Sequence, residues 1–150
     1  MLFYSPFAAA GIAEGEDYLE TGFADPLEVE RQALAGRMVG VSTGSPGTFV
    51  LEVRSGYPPD AMLDLNGCAL RLGVEVQDRA LCVRDLYDLI DWSRACPAPQ
   101  RIALDDGFYH ITLLSKVLAP GAPSGHEILC YLQKLDGMPA LRYNGVPTLF

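Results

Sequence analysis

The punctuation of this chain restricts its fold more than any single motif. Fifteen glycines and eleven prolines cut it into short segments. Inside most of those segments the apolar residues alternate with polar ones. Short alternating segments between turn residues build sheets rather than helical bundles. "ALRLGVEV" sets Leu70, Leu72, Val74 and Val76 against Arg71, Gly73, Glu75 and Gln77, the period of a half-buried strand. "TFVLEVR" sets Phe49, Leu51 and Val53 against Thr48, Val50, Glu52 and Arg54. With "RMVGVST" ahead of it across "GSPG", it predicts a hairpin.

Further strands follow the same logic. "FYSPFAA" starts one, and "ALCVR" comes after the turn "QDR". "RIALDDGFYHITLLSKVL" turns at "DDG" and then runs as a long strand, rich in β-branched and aromatic residues, from Phe108 to Leu118. "APGAPSG" turns it onto "HEILCYLQKL". "YPPD" reads as a rigid turn, because two prolines cannot donate to a ladder. The tail, residues 137–150, is irregular, yet Val146, Leu149 and Phe150 give it reason to pack back. No repeat or linker divides the chain. Residues 1–150 read as one domain, mainly β: a two-sheet antiparallel β-sandwich of about eight strands with one or two short helices. A closed barrel shares this patterning.

Two segments read as helices. In "FADPLEVERQALAG", Asp25 is the N-cap, Pro26 the first helical residue, Glu28 the reciprocal capping partner and Gly36 the stop. The second is residues 85–94, within "RDLYDLIDWS". At 100° per residue Leu86, Leu89, Ile90 and Ser93 share the core side, while Asp85, Asp88 and Asp91 lie opposite, with Tyr87 and Trp92 at the margins. Asp85 suits the N-cap and Asp88 the first turn.

Charge narrows the function. The net charge is −8. Residues 1–30 contain seven acids (Glu14, Glu16, Asp17, Glu20, Asp25, Glu28, Glu30) and no Lys or Arg. The other 120 residues hold twelve acids against eleven bases. Such a chain does not bind nucleic acid through counterion release, which needs clustered bases. No apolar run reaches the roughly 18 residues that cross a bilayer. The start, "MLFYSPFAAAGIA", lacks a basic leader and contains Pro6, so it reads as a strand of the mature protein. Cys68, Cys82, Cys96 and Cys130 form no C-x-x-C, and no histidine pair lies at ligand spacing. No metal or cofactor is expected, and buried free thiols fit the cytoplasm.

Catalytic patterns are weak. "GHEILC" has Cys130 where a zinc helix needs its second histidine, and it alternates like a strand. His110 and His126 would sit on adjacent strands, and Cys130 offers a thiol to His110. "STGSPGTF" lacks the Gly-Lys-Ser/Thr of a phosphate loop. Asp85, Asp88 and Asp91 fan outward, whereas a catalytic or metal site needs convergent carboxylates. They read as a solvated face or a docking face, and the chain reads as no enzyme.

The order of elements resembles that of competence-protein-J-like nuclease inhibitors and of bacterial immunity proteins with the same layout. The matching pieces are "FYSPFAAAG", the acidic run into "TGFADP", "GVSTGSPGTFVLEV", "LRLGVEVQDRALCVRDL" and "QRIALDDGFYHITLLSKV" running into "HEILCYLQKL". Ile102, Leu104, Gly107, Tyr109, Ile111 and Thr112 carry the late-strand pattern of such proteins. The segment 85–94 and the tail from 137 depart from it. The resemblance implies a non-enzymatic acidic sandwich that binds and neutralises a cognate toxin, with no catalytic residues to carry over. Its partner surface is then Glu14, Glu16, Asp17 and Glu20 together with Asp85, Tyr87, Asp88, Asp91 and Trp92. The rival expectation is a carbohydrate- or small-ligand-binding sandwich, with Trp92, Tyr57 and Tyr109 as stacking faces.

Overall fold

The computed structural model describes residues 1–44, 46–66, 69–115, 126–143 and 146–149. They form a two-sheet β-sandwich. Sheet 1 has the order β2–β1–β5–β6, from β1 (Leu2–Tyr4), β2 (Met38–Gly40), β5 (Ala80–Arg84) and β6 (Arg101–Ala103). Sheet 2 has the order β3–β8–β7–β4, from β3 (Phe49–Ser55), β4 (Ala69–Val76), β7 (Gly107–Ser115) and β8 (His126–Leu135). Among the described residues there are three short α-helices: α1 (Tyr18–Gly22), α2 (Pro26–Leu34) and α3 (Asp60–Asn66). None is long and apolar enough to cross a membrane.

Alternation decides which residues meet between the sheets. Phe3, Val39 and Leu81 of sheet 1 face Leu72, Val74, Ile111, Leu113, Ile128 and Cys130 of sheet 2 in one fully buried cluster. The opposite side chains of sheet 1, Leu2, Tyr4, Met38 and Cys82, lie under a second cluster with Ala9, Ile12, Phe23, Val29, Leu89 and Trp92. On the far side of sheet 2, Leu114, Leu129 and Tyr131 pack against Met62 and Leu63 of α3. The layers run outer cover, sheet 1, sheet 2, α3.

The predicted hairpin of β2 with β3 does not form, and the two strands lie in different sheets. The space beside Ser42 is taken by the tail: Ser42 N–H donates to Pro147 O (2.8 Å) and Leu149 N–H to Ser42 O (2.9 Å). Of the tail's apolar residues, Leu149 is fully buried in the inter-sheet core while Val146 is exposed. β3 crosses instead to sheet 2 and pairs in parallel with β8, Leu51 opposite Ile128 and Val53 opposite Cys130. The other strand pairs are antiparallel. β4 and β5 also belong to different sheets. The link between them places Asp78 (φ 59°) and Arg79 (φ 53°) in the left-handed region. Buried Ser5 pins that corner, its hydroxyl donating to Gln77 O and accepting from Gln77 N–H.

Pro26 opens α2 and the Asp25 side chain caps it, accepting from Leu27 N–H (2.9 Å). Glu28 does not close a capping box; it binds Arg31 and Gln32. Gly36 follows at φ 65°, where a side chain would meet Met138. "FYSPFAA" is only briefly a strand, because Pro6 begins a 3-10 turn over Pro6–Ala9. "YPPD" leads directly into α3, a helix the prolines masked in the sequence. The expected strand end at 116–118 and the whole "APGAPSG" turn lie outside the described residues, as do Cys68 and Phe150.

Candidate docking surface

Residues 85–94 do not form an α-helix. Asp85 caps a 3-10 turn over Leu86–Leu89, accepting from Tyr87 N–H (2.9 Å). At three residues per turn, positions three apart stack in line. Within the turn Leu86 and Leu89 therefore share the inner side, Asp85 and Asp88 a second line, and Tyr87 a third with the C-cap Ile90, while Asp91 and Trp92 follow after the turn ends. The exposures follow: Leu89 and Trp92 are buried, while Tyr87 is 72% and Ile90 46% exposed. This corrects two expectations. Ile90 is no core residue, and Trp92, at 1% exposure, is no part of a partner-binding face.

Trp92 instead fastens the surface from below. Its ring meets Tyr4 edge-on at 5.4 Å, and the Arg84 guanidinium lies 5.0 Å from its centroid. Arg84 is itself buried, donating through Nε to Asp88 (2.9 Å) and through a terminal nitrogen to Ser93 O (2.5 Å). The Arg84/Asp88 spacing of four was the sequence signal for this tie. The Trp92 backbone then holds the N-terminal acidic segment: Gly15 N–H donates to Trp92 O (2.7 Å) and Trp92 N–H to Glu16 O (3.1 Å). Arg94 N–H donates to the Glu14 carboxylate (2.9 Å).

Two acidic stretches some seventy positions apart in sequence are thereby stitched into one surface over sheet 1. Several of its carboxylates also organise the backbone. Asp17 caps α1 by accepting from Glu20 N–H (3.0 Å). Glu16 accepts from Ala13 N–H and the Thr21 hydroxyl. The Arg94 amide, then the Ser93 hydroxyl, hold the Glu14 carboxyl below the usual carboxylate range. Glu20 and Asp91 are exposed, and their carboxylates make no hydrogen bond among the described residues. The two predicted acidic stretches are thus joined through Glu14, Glu16 and the Trp92 backbone, Tyr87 stays exposed, and Trp92 is the residue of the set that moves inside.

The other candidate groups are dispersed. His110 stands opposite Gln133, whereas His126 begins the same strand opposite Phe49, seven positions away. His110 shares the outer side of sheet 2 with Thr112, while Cys130 points into the inter-sheet core. Burial pushes the Cys130 thiol up to about 12 and, beside Cys96, the Cys82 thiol up to about 12 as well. Trp92, Tyr109 and Tyr57 occupy three different layers, with Tyr57 bonded to His110 Nδ1 (3.0 Å). They share no stacking groove. Among the described residues no group of three His, Cys, Asp or Glu side chains is placed to hold a metal ion.

Compared with known proteins, the chain matches no family model, no curated protein and no solved structure. The layout likeness to nuclease inhibitors and immunity proteins therefore gains no support from relatives, and the surface itself has to carry the functional argument.

Proposed function

We propose that this chain is a non-enzymatic binding protein that neutralises a basic partner, a cognate toxin of the nuclease kind, through the acidic surface over sheet 1. The observation that carries the reading is the pairing of Trp92 with Gly15 and Glu16, which joins the 14–20 and 85–91 segments into one face. A solvated surface needs no such joining. The face offers Tyr87 and Ile90 as exposed apolar anchors in a segment that also carries Asp85, Asp88 and Asp91, which suits a groove evolved for phosphates. Attraction at a distance speeds such encounters and weakens with salt.

The test is capture of the toxin encoded beside this protein's gene, at low and high salt, by the native chain and by Glu20→Lys/Asp91→Lys. Neither carboxylate bonds to another described residue, so the fold should survive. The expected result is stoichiometric capture that the charge reversal weakens roughly tenfold or more at low salt. Capture indifferent to both salt and reversal removes this surface from the reading; no capture of a folded toxin removes the reading.

A further inference from the structure

The two edges of sheet 2 are treated differently. Along β4 the edge is covered: Glu75 N–H donates to Gly36 O (2.9 Å), Tyr143 donates to Arg71 O (3.2 Å), and Met138 and Pro139 lie over Gly73. Along β3, at the opposite edge, no described residue pairs with the outward backbone of Leu51, Val53 or Ser55. Gly56 N–H donates to Leu132 O (2.9 Å), so the amides of Val50, Glu52 and Arg54 also turn to β8. Those of Leu51, Val53 and Ser55 point to the open side. Hollows of about 510 and 520 Å³, meeting at Val53 and Ile102, separate this edge from β6. Val50 is 57% and Val53 42% exposed. A long uncovered edge without proline or bulge is a template for another strand.

Charge selects the occupant. Glu52 and Arg54 project from the same side of β3 two residues apart and pair with each other (3.0 Å to Nε). In an antiparallel self-pairing with its axis at Val53, Glu52 of each copy stands opposite Arg54 of the other. The outward amides of Val53, Leu51 and Ser55 then face their counterparts. Moving the axis to Glu52 or Arg54 still lets outward amides meet, Leu51 opposite Val53 or Val53 opposite Ser55, but sets like charges opposite each other. Moving it to Leu51 leaves Glu52 opposite Val50. We infer that the open edge of β3 pairs with β3 of a second copy about a two-fold axis at Val53, merging both copies of sheet 2 into one continuous sheet. This goes beyond the toxin-binding reading and does not depend on it, because the acidic surface lies over sheet 1.

Sedimentation velocity over a range of protein concentrations tests the pairing. The native chain should dimerise. Glu52→Arg sets guanidinium groups opposite each other twice and should weaken the dimer roughly tenfold or more. The double exchange Glu52→Arg/Arg54→Glu should restore it. Val53→Pro removes an outward donor that β8 does not use, so the fold should hold, checked by its thermal melt, while the dimer is lost. Hydrogen exchange on the native chain needs no variant: the Leu51, Val53 and Ser55 amides should gain protection as concentration rises. A native chain that stays monomeric overturns the inference. So does a dimer indifferent to Val53→Pro, or a double exchange no better than the single.

Discussion

The outer face of sheet 1 carries Leu2, Tyr4, Met38 and Cys82 beneath a layer with little regular structure, whereas the outer face of sheet 2 carries Thr112, Leu114, Leu129 and Tyr131 beneath one short helix. The sheet 1 cover is drawn from two distant segments and depends on specific ties, the Trp92 backbone pairing and the Arg84 bridge. The sheet 2 cover is the β3–β4 crossover itself, so connectivity alone delivers it. Irregular covers need anchors, and here the anchor is one buried ring. An acidic surface on such a cover is only as well placed as that ring.

The largest way to break the contrast is Trp92→Ala. Emptying this site should cost about 3–5 kcal/mol in urea unfolding and should free the Gly15 amide to exchange. A loss under about 1 kcal/mol would mean the cover stands without its anchor. Arg84→Met comes next. It abandons Ser93 O and the contact with Trp92, while Asp88, 36% exposed, falls back on water, so about 1–3 kcal/mol is expected. Restoration of that stability by a second change at Asp88 would contradict this ordering.

The smallest effect lies on the sheet 2 side. Burial, then the Arg71 charge, hold His110 below its ordinary value of 6.5. The unfolded chain takes up that proton first, so stability falls as pH drops below 6.5 toward the lowered folded value, and is retained above it. His110→Asn should flatten this component of the urea midpoint between pH about 7 and about 5. An unchanged pH slope would show that His110 does not supply it.

The same contrast explains what the sequence made legible. β4, with an exposed side, alternates, and its register is read directly from Leu70 to Val76. β1 and β2 are buried on both faces, and "LFY" and "MVG" carry no alternation to read. The pairing of β3 was hidden for another reason: nothing in "TFVLEVR" states that its partner is β8 rather than β2, since a strand's pattern fixes its faces and not its neighbour. At the candidate surface, the two acidic stretches that charge clustering singles out are joined through the Trp92 backbone. Trp92 departs from the helical expectation because the chain leaves its 3-10 turn after Leu89 and then buries the indole against Tyr4 and Arg84, which no helical period states.

The parallel pairing of β3 with β8 also sets an order in time. Sheet 1 has all its strands once Ala103 has left the ribosome, whereas β3 has no ladder partner among the described strands until His126 and its successors emerge. Through that interval β3 has no ladder partner on either side, and the alternating Glu52 and Arg54 leave self-pairing in a single register as the one it favours.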